Sequence, residues 1–266
     1  MQHLRVTLIA AMIAVMAAAS WAQNYDWISD LDPSEIQQSN LDKQINSLLE
    51  VFSSLAGAGF VNTAEVHRVG GLDVRLSFLG APVPEEYSDI VPTVTDPLEG
   101  EEFASFAVLH GNVGLLPRVE AYARFFTLPV RGEPSTGNVT LIGGGLKFGV
   151  LEEQRGSPAL VLMGGYQASL VPDDFDFGNV STWSAKAFLS KSLQVVTLYA
   201  GGGVEFTSLS LNVAGLPIAI AQDYSSTYPN ATAGLTFKMI PLLRINMDAN
   251  YGSLWSFSAG AALSVR

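Results

Sequence analysis

The last part of the chain, residues 241–266, alternates apolar and polar side chains on both sides of a short turn. In Leu243–Tyr251 the apolar residues share one parity, and Arg244 and Asp248 belong to the other. The alternation resumes over Trp255–Val265. A period of two predicts two β-strands, each with one apolar and one polar face. It does not show which face points inward, because a soluble sheet and a membrane barrel have the same pattern with opposite meaning.

Earlier parts of the chain alternate in the same way and, with the closing hairpin, predict about ten strands, with eight to twelve allowed. Stretches rich in Pro, Gly, Ser or Asn separate some of them, so 127–137 and 208–228 are predicted as loops. The earlier predicted strands are 72–78, 103–114, 119–125, 142–150, 160–170, 183–190, 196–207 and 231–239. The segment 103–114 alternates poorly, and the other nine strands are clear.

Charge separates the two faces of these strands. In the nine clear strands the apolar parity contains no Asp, Glu, Lys, Arg, Asn or Gln. Lipid excludes charge far more strictly than water does, so this parity is predicted to face lipid and the other to face a lumen. The predicted lumen charges are six basic and four acidic: Asp73, Arg75, Glu120, Arg124, Lys147, Lys186, Glu205, Lys238, Arg244 and Asp248. Near-balance favours a salt-bridged filling over a selectivity lining, which stays as the alternative.

Connection lengths and aromatic residues support the same architecture. The predicted connections alternate strictly between long and short, which would put the long loops at one rim and both chain termini at the other. Aromatic residues of the apolar parity gather near strand ends, as in a membrane-interface girdle. They are Phe78, Phe125, Phe148, Trp183, Phe206, Phe237, Tyr251 and Trp255. The predicted fold is an all-β, transmembrane, antiparallel up-and-down β-barrel with a short N-terminal amphipathic helix.

The N-terminal part divides into two predicted segments before the barrel at 60–266. Residues 1–22 have a basic start, a short apolar run and small residues before the end, which predicts a signal peptide rather than a transmembrane anchor. Residues 23–59 are predicted to be periplasmic and to contain the helix, which begins near Asp32-Pro33 and ends at Gly57 and Gly59. We favour packing of this helix on the periplasmic rim over a plug in the barrel mouth.

Composition excludes several classes of function. A net charge of −11 argues against a nucleic-acid partner, and the absence of cysteine excludes thiolate metal sites. His67 and His110 could be neighbours on the first two strands, but no nucleophile accompanies them, so no catalytic residue and no cofactor are predicted. Asp173, Asp174 and Asp176 are weak candidates for a divalent-cation site, and a solvated acidic loop is the favoured interpretation.

The chain has, in order, a predicted signal peptide, an amphipathic helix, a His67–Ser77 strand with paired glycines, and repeated hairpins that end in a strand rich in Ala, Gly and Ser. This order resembles bacterial outer-membrane β-barrel proteins. It is most similar to an uncharacterised domain-of-unknown-function family. The resemblance implies an outer-membrane location with outer-membrane lipid and the barrel assembly machinery as partners. One departure is the end of the chain, Val265-Arg266, where such barrels usually carry an aromatic residue.

Three functions remain open at this point. The first is a channel or transporter for a small solute of unknown identity, with a narrow, charge-lined and largely filled lumen. The second is a non-conducting structural or surface-binding barrel that uses acidic extracellular loops. The third is a soluble periplasmic β protein.

The signal-peptide assignment makes a direct prediction. We expect cleavage after Ala22, so that the purified mature chain begins at Gln23. Mass spectrometry of the intact protein checks this, and a mature mass that still includes residues 1–22 would contradict it.

Overall fold

The structure is a computed structural model that describes residues 49–50, 53–82, 103–131, 136–170, 179–213, 220–240 and 242–265. Residues 49–50 and 53–57 are helical, and the rest of the regular structure is β-strand. The predicted signal peptide and the predicted start of the helix lie outside the described residues. Among the residues described, no helix is both long enough and apolar enough to span a membrane.

Ten strands follow one another along the chain, each paired antiparallel with its neighbours. They are β1 Leu72–Pro82, β2 Phe103–Leu116, β3 Val119–Arg131, β4 Thr136–Leu151, β5 Ala159–Leu170, β6 Asn179–Leu193, β7 Val196–Val213, β8 Ile220–Ile240, β9 Leu243–Tyr251 and β10 Trp255–Val265.

The sheet closes on itself because the first and last strands pair. Leu72 lies opposite Val265, and the register runs from there to Gly80 opposite Phe257. Closure leaves every strand with two neighbours, so the barrel has no edge strand. The predicted up-and-down antiparallel barrel of ten strands is confirmed.

Two stretches predicted as loops are largely strand. Residues 127–131 extend β3, and most of 208–228 belongs to the long β7–β8 hairpin, in which Val213 pairs with Ile220. In 208–213 the alternation continues with its phase reversed, since Ser208 and Ser210 take outward, exposed positions of β7 and Leu209 a buried one. Thr127 likewise takes an outward, exposed position of β3. Beyond the lipid the outward face need not be apolar, so these extensions lack the pattern of the nine clear strands. The predicted strict alternation of connection lengths is also wrong, because four residues separate β3 from β4 and seven separate β4 from β5.

The two rims are named by their connections. The long-loop rim carries the connections 83–102, 132–135, 171–178 and 214–219 and the three-residue β9–β10 turn. The short-turn rim carries the other four connections, the start of β1 and the end of β10. These names are used below.

The barrel is apolar outside and charged inside. Outward side chains such as Trp183 and Leu146 are 61% and 55% exposed, whereas Arg75 and Glu120 in the interior are 0% and 1% exposed. A soluble barrel would distribute these residues the other way round, because water solvates charge and not large apolar surfaces. The arrangement is that of a transmembrane barrel, and the interpretation as a soluble periplasmic protein is wrong.

The predicted aromatic girdle residues all point outward and are exposed. Tyr166 and Trp183 on adjacent strands have ring centroids 4.7 Å apart, and Tyr251 and Trp255 flank the β9–β10 turn at 4.8 Å. Amphipathic rings of this kind are favoured at the boundary between hydrocarbon and water.

The inside-out arrangement predicts a depth-dependent effect of charge on the outer face. Leu146→Arg, on the central part of β4, should lower the free energy of unfolding in lipid vesicles by about 2–4 kcal/mol. Val195→Arg is the matched control, because Val195 is equally exposed but lies in the β6–β7 turn at the rim, where the change should be at most about 1 kcal/mol. Urea titration of the two folded variants measures both, and equal effects would contradict the lipid-facing assignment.

Candidate functional site: the plugged lumen

The segment before β1 lies inside the barrel. We call its described residues, 49–50 and 53–67, the plug. Side chains of the plug and of the inner wall bury each other, with Leu49, Ala58 and Ala64 at 1%, 0% and 1% exposure. The predicted position of the helix on the periplasmic rim is therefore wrong, because its last turns pack within the lumen.

Small residues allow the plug to fit. The run 53–59 contains only one large side chain, that of Leu55. A Cβ atom added at Gly57 would collide with the carboxylate of Glu205, so a larger residue there would have to displace a buried side chain that is paired with Lys186. This run of small residues is the sequence signal that indicates a plug in a narrow lumen.

The helical end of the plug is held by positive side chains of the wall. Arg124 Nη1 donates to the carbonyl of Ala56 at 2.6 Å and Nη2 to that of Ala58 at 3.2 Å. Lys186 Nζ donates to the carbonyl of Gly57 at 2.7 Å. The last carbonyl groups of a helix lack partners within the helix and carry its negative dipole end, so buried cations stabilise them. Gln167 Nε2 adds a further bond to Ala56 at 3.0 Å.

The turn that follows the helix is held in the same way. Arg75 Nη2 donates to the carbonyls of Gly59 and Phe60 at 2.7 and 3.1 Å. The Phe60 ring lies 4.2 Å from the Arg124 guanidinium carbon and 4.8 Å from Lys186 Nζ. A desolvated ring face attracts cations, so Phe60 stabilises two positive charges that are buried with it.

The remaining plug is anchored near the short-turn rim by Glu120. Its Oε2 accepts from the backbone N–H of His67 at 2.8 Å and lies 2.6 Å from His67 Nδ1. Its Oε1 lies 3.3 Å from Lys147 Nζ, which also donates to the carbonyl of Glu65 at 3.1 Å. Between the two anchors, Thr236 Oγ1 donates to the carbonyl of Asn62 at 2.6 Å.

Apolar contacts fill one side of the lumen. Leu55 and Ala58 of the plug pack with Val108 and Phe126, and Val61 packs in a second cluster with wall residues of β3, β5 and β6. A cavity beside Leu55 and Phe126 measures about 10 Å³, room for roughly one water molecule. The plug therefore fills the lumen rather than lining it.

Nine of the ten predicted lumen charges are buried inside the barrel, and Lys238 is half-buried near the short-turn rim. Ion pairs within the set join Lys147 to Glu120 at 3.3 Å and Lys186 to Glu205 at 2.8 Å. Arg75 and Arg124 instead bind plug carbonyls. Two further acidic members accept hydrogen bonds from wall side chains: Asp248 from Tyr199 at 2.9 Å and Asp73 from Asn112 at 3.5 Å. Arg244 is buried on β9.

The weaker site hypotheses have separate outcomes. Asp173, Asp174 and Asp176 lie outside the described residues. Within the described parts of the chain, no group of three or more His, Asp or Glu side chains could hold a metal ion. The idea that His67 and His110 are neighbours is wrong, because Arg75 lies opposite His110 whereas His67 precedes β1 and contacts Glu120.

Comparison with known proteins places the chain in a family. The sequence profile of a family of unknown function, DUF6588, matches residues 86–265. The chain belongs to this family. No functionally curated protein matches it.

Solved structures similar to this DUF6588 chain include bacterial barrels of low identity. Ail, the attachment invasion locus protein of Yersinia pestis, is 14% identical over 74% of this chain and 99% of its own, with a TM-score of 0.35. The N-terminal barrel domain of Pseudomonas aeruginosa OprF is 12% identical over 73% of this chain and 97% of its own, with a TM-score of 0.32. The outer membrane protease OmpT of Escherichia coli is 11% identical over 73% of this chain and 96% of its own, with a TM-score of 0.41.

Removal of Lys186 from its ion pair with Glu205 is expected to lower the stability of the barrel strongly. Lys186→Met should destabilise the barrel by about 3–5 kcal/mol, because Glu205 is left as an unpaired buried charge. The double variant Lys186→Met/Glu205→Leu should recover part of this loss. Arg118→Ala is the control, since Arg118 and Glu152 form a pair that is 53% and 71% exposed and is worth at most about 1 kcal/mol. Equal losses in urea unfolding of K186M and R118A would contradict the argument.

Proposed function

We propose that this protein is an outer-membrane barrel that its own N-terminal segment keeps closed, so that it does not conduct solutes in this conformation. The observation that carries the proposal is the plug. Its backbone carbonyls are bound by Arg75, Arg124 and Lys186, and its apolar residues pack against the wall. A role that needs an open aqueous lumen is incompatible with this packing.

The proposed location rests on the distribution of apolar and charged residues in the barrel and on the predicted signal peptide. The outer face is apolar and the inner face charged, which requires lipid around the barrel. The predicted signal peptide supports export, and closed barrels of this type are characteristic of bacterial outer membranes. Short turns of such barrels face the periplasm, so we assign the short-turn rim, with the end of β10, to that side. Outer-membrane lipid and the barrel assembly machinery are the proposed partners.

The role proposed for the closed barrel is structural or surface-binding, through segments at the long-loop rim. No enzymatic activity and no cofactor form part of the proposal. A second candidate is a gated channel or transporter for a small solute. The gated channel is favoured by the basic side chains that bind the plug. If the plug withdrew, Arg75, Arg124 and Lys186 would line a lumen that attracts anions.

Planar-bilayer recording of refolded protein tests the proposal. The natural chain should be electrically silent, whereas Gly57→Leu should raise conductance, because its side chain collides with Glu205 and displaces the plug while leaving the wall residues native. Gly156→Leu is the matched control, since a side chain at Gly156 in the β4–β5 turn meets nothing within 4 Å. A variant that lacks residues 49–66 should also conduct.

Heat-modifiable migration in gels verifies that each variant has formed a barrel before it is recorded. A steady conductance from the natural chain would overturn the closed-barrel proposal. A folded deletion variant that remains silent would show that the plug is not what closes the lumen. Conductance of the natural chain that appears only with a particular solute would favour the gated channel.

A further inference from the structure

The plug makes contacts along the whole height of the barrel. At the short-turn rim, His67 binds Glu120, the second residue of β3. Further in, the backbone N–H of Ala64 donates to Ser190 Oγ at 2.9 Å, and the carbonyl of Ala56 binds Arg124.

The other end of the plug reaches the opposite rim. Ser253 Oγ, in the β9–β10 turn, lies 3.1 Å from Ser54 Oγ and donates to the carbonyl of Glu50 at 3.2 Å. Leu49 packs with Leu209 and with residues of β6 and β8 that lie close to the long loops. Leu49 is therefore at the long-loop rim, on the opposite side of the barrel from the start of β1.

A tight turn at the short-turn rim connects the descending plug to the ascending β1. Gly71 N–H donates to the Arg68 carbonyl at 2.8 Å, and Gly70 has a φ of 78°, which favours glycine. The turn is docked on β2, where Gly114 exchanges hydrogen bonds with Gly70 and Gly71 at 2.9 Å each. The reversal is thus built into the wall and fixes the direction in which the plug runs.

From this path we infer that the plug runs through the barrel from the outer face to the periplasmic face, so that it enters the lumen at the long-loop rim. Glu50 then lies on the outer side of the membrane, while β10 ends on the periplasmic side. This differs from the predicted arrangement, in which the whole segment 23–59 is periplasmic. This path uses the membrane orientation of the proposed function but not the closed state of the lumen.

Single-cysteine labelling tests the path, since the natural chain has no cysteine. The probe is a membrane-impermeant maleimide applied to intact cells. Glu50→Cys, at a half-buried position, should be labelled on intact cells, as should Asp223→Cys, an exposed position near the tip of the β7–β8 hairpin. Arg155→Cys, exposed in the β4–β5 turn at the short-turn rim, should be labelled only after the outer membrane is permeabilised. A Glu50→Cys variant that behaves like Arg155→Cys would overturn the inference.

Disulfide cross-linking provides a measurement that does not depend on exposure of residue 50. Oxidation should join Ser54→Cys to Ser253→Cys at one rim, and Thr63→Cys to Ser190→Cys further down, where the hydroxyl oxygens lie 3.1 and 3.3 Å apart. Each cross-link shifts migration in a non-reducing gel. Formation of the second without the first would mean that the plug stays near the periplasmic rim, and would overturn the inference.

These outcomes are independent of the conductance result. A barrel that conducts but is labelled at residue 50 from outside would reject the closed-barrel proposal and retain the threaded path. A silent barrel that is labelled at residue 50 only after permeabilisation would retain the closed-barrel proposal and reject the threaded path.

Discussion

Hydrogen bonds from buried cations of the wall to backbone carbonyls of the plug are the interaction on which this structure depends. Carbonyls at the end of a helix, and in the turn that follows it, are costly to bury without donors. Arg124, Lys186 and Arg75 supply those donors. The dependence is mutual, because the same cations would themselves be costly to bury if the lumen lacked the plug and excluded water.

The apolar belt and the charged interior follow from a single constraint. Lipid cannot hydrogen-bond, so the backbone must be fully paired in a closed sheet and polar side chains must turn inward. In a ten-stranded barrel this places many charges in a small volume. Glu205 illustrates the result: it pairs with Lys186 at 2.8 Å and accepts a hydrogen bond from Ser53 of the plug at 3.1 Å. Side chains of the wall and of the plug therefore belong to one hydrogen-bonded polar network.

Much of the wall could be predicted from sequence. The alternation over Leu243–Tyr251 and Trp255–Val265 is strict because lipid excludes charge from every outward position, and both strands form as predicted. The signal fails where that constraint ends. Residues 208–213 and 220–228 are strand in the β7–β8 hairpin, but their outward positions are polar, as at Ser208, Ser210 and Asp223. They lie beyond the lipid, so they do not show the apolar outward face by which the other strands were predicted.

The barrel, the approximate number of strands and the inward charges follow from local sequence patterns, because a period of two together with the exclusion of charge by lipid acts on each strand separately. The partners of those charges follow only from the folded chain. Arg75 and Arg124 bind carbonyls of residues 56–60, and no local pattern in the strands encodes a partner that belongs to another segment of the chain. The path of the plug from one rim to the other also follows only from the folded chain. It depends on contacts such as that of Ser54 with Ser253, residues about two hundred positions apart in the sequence.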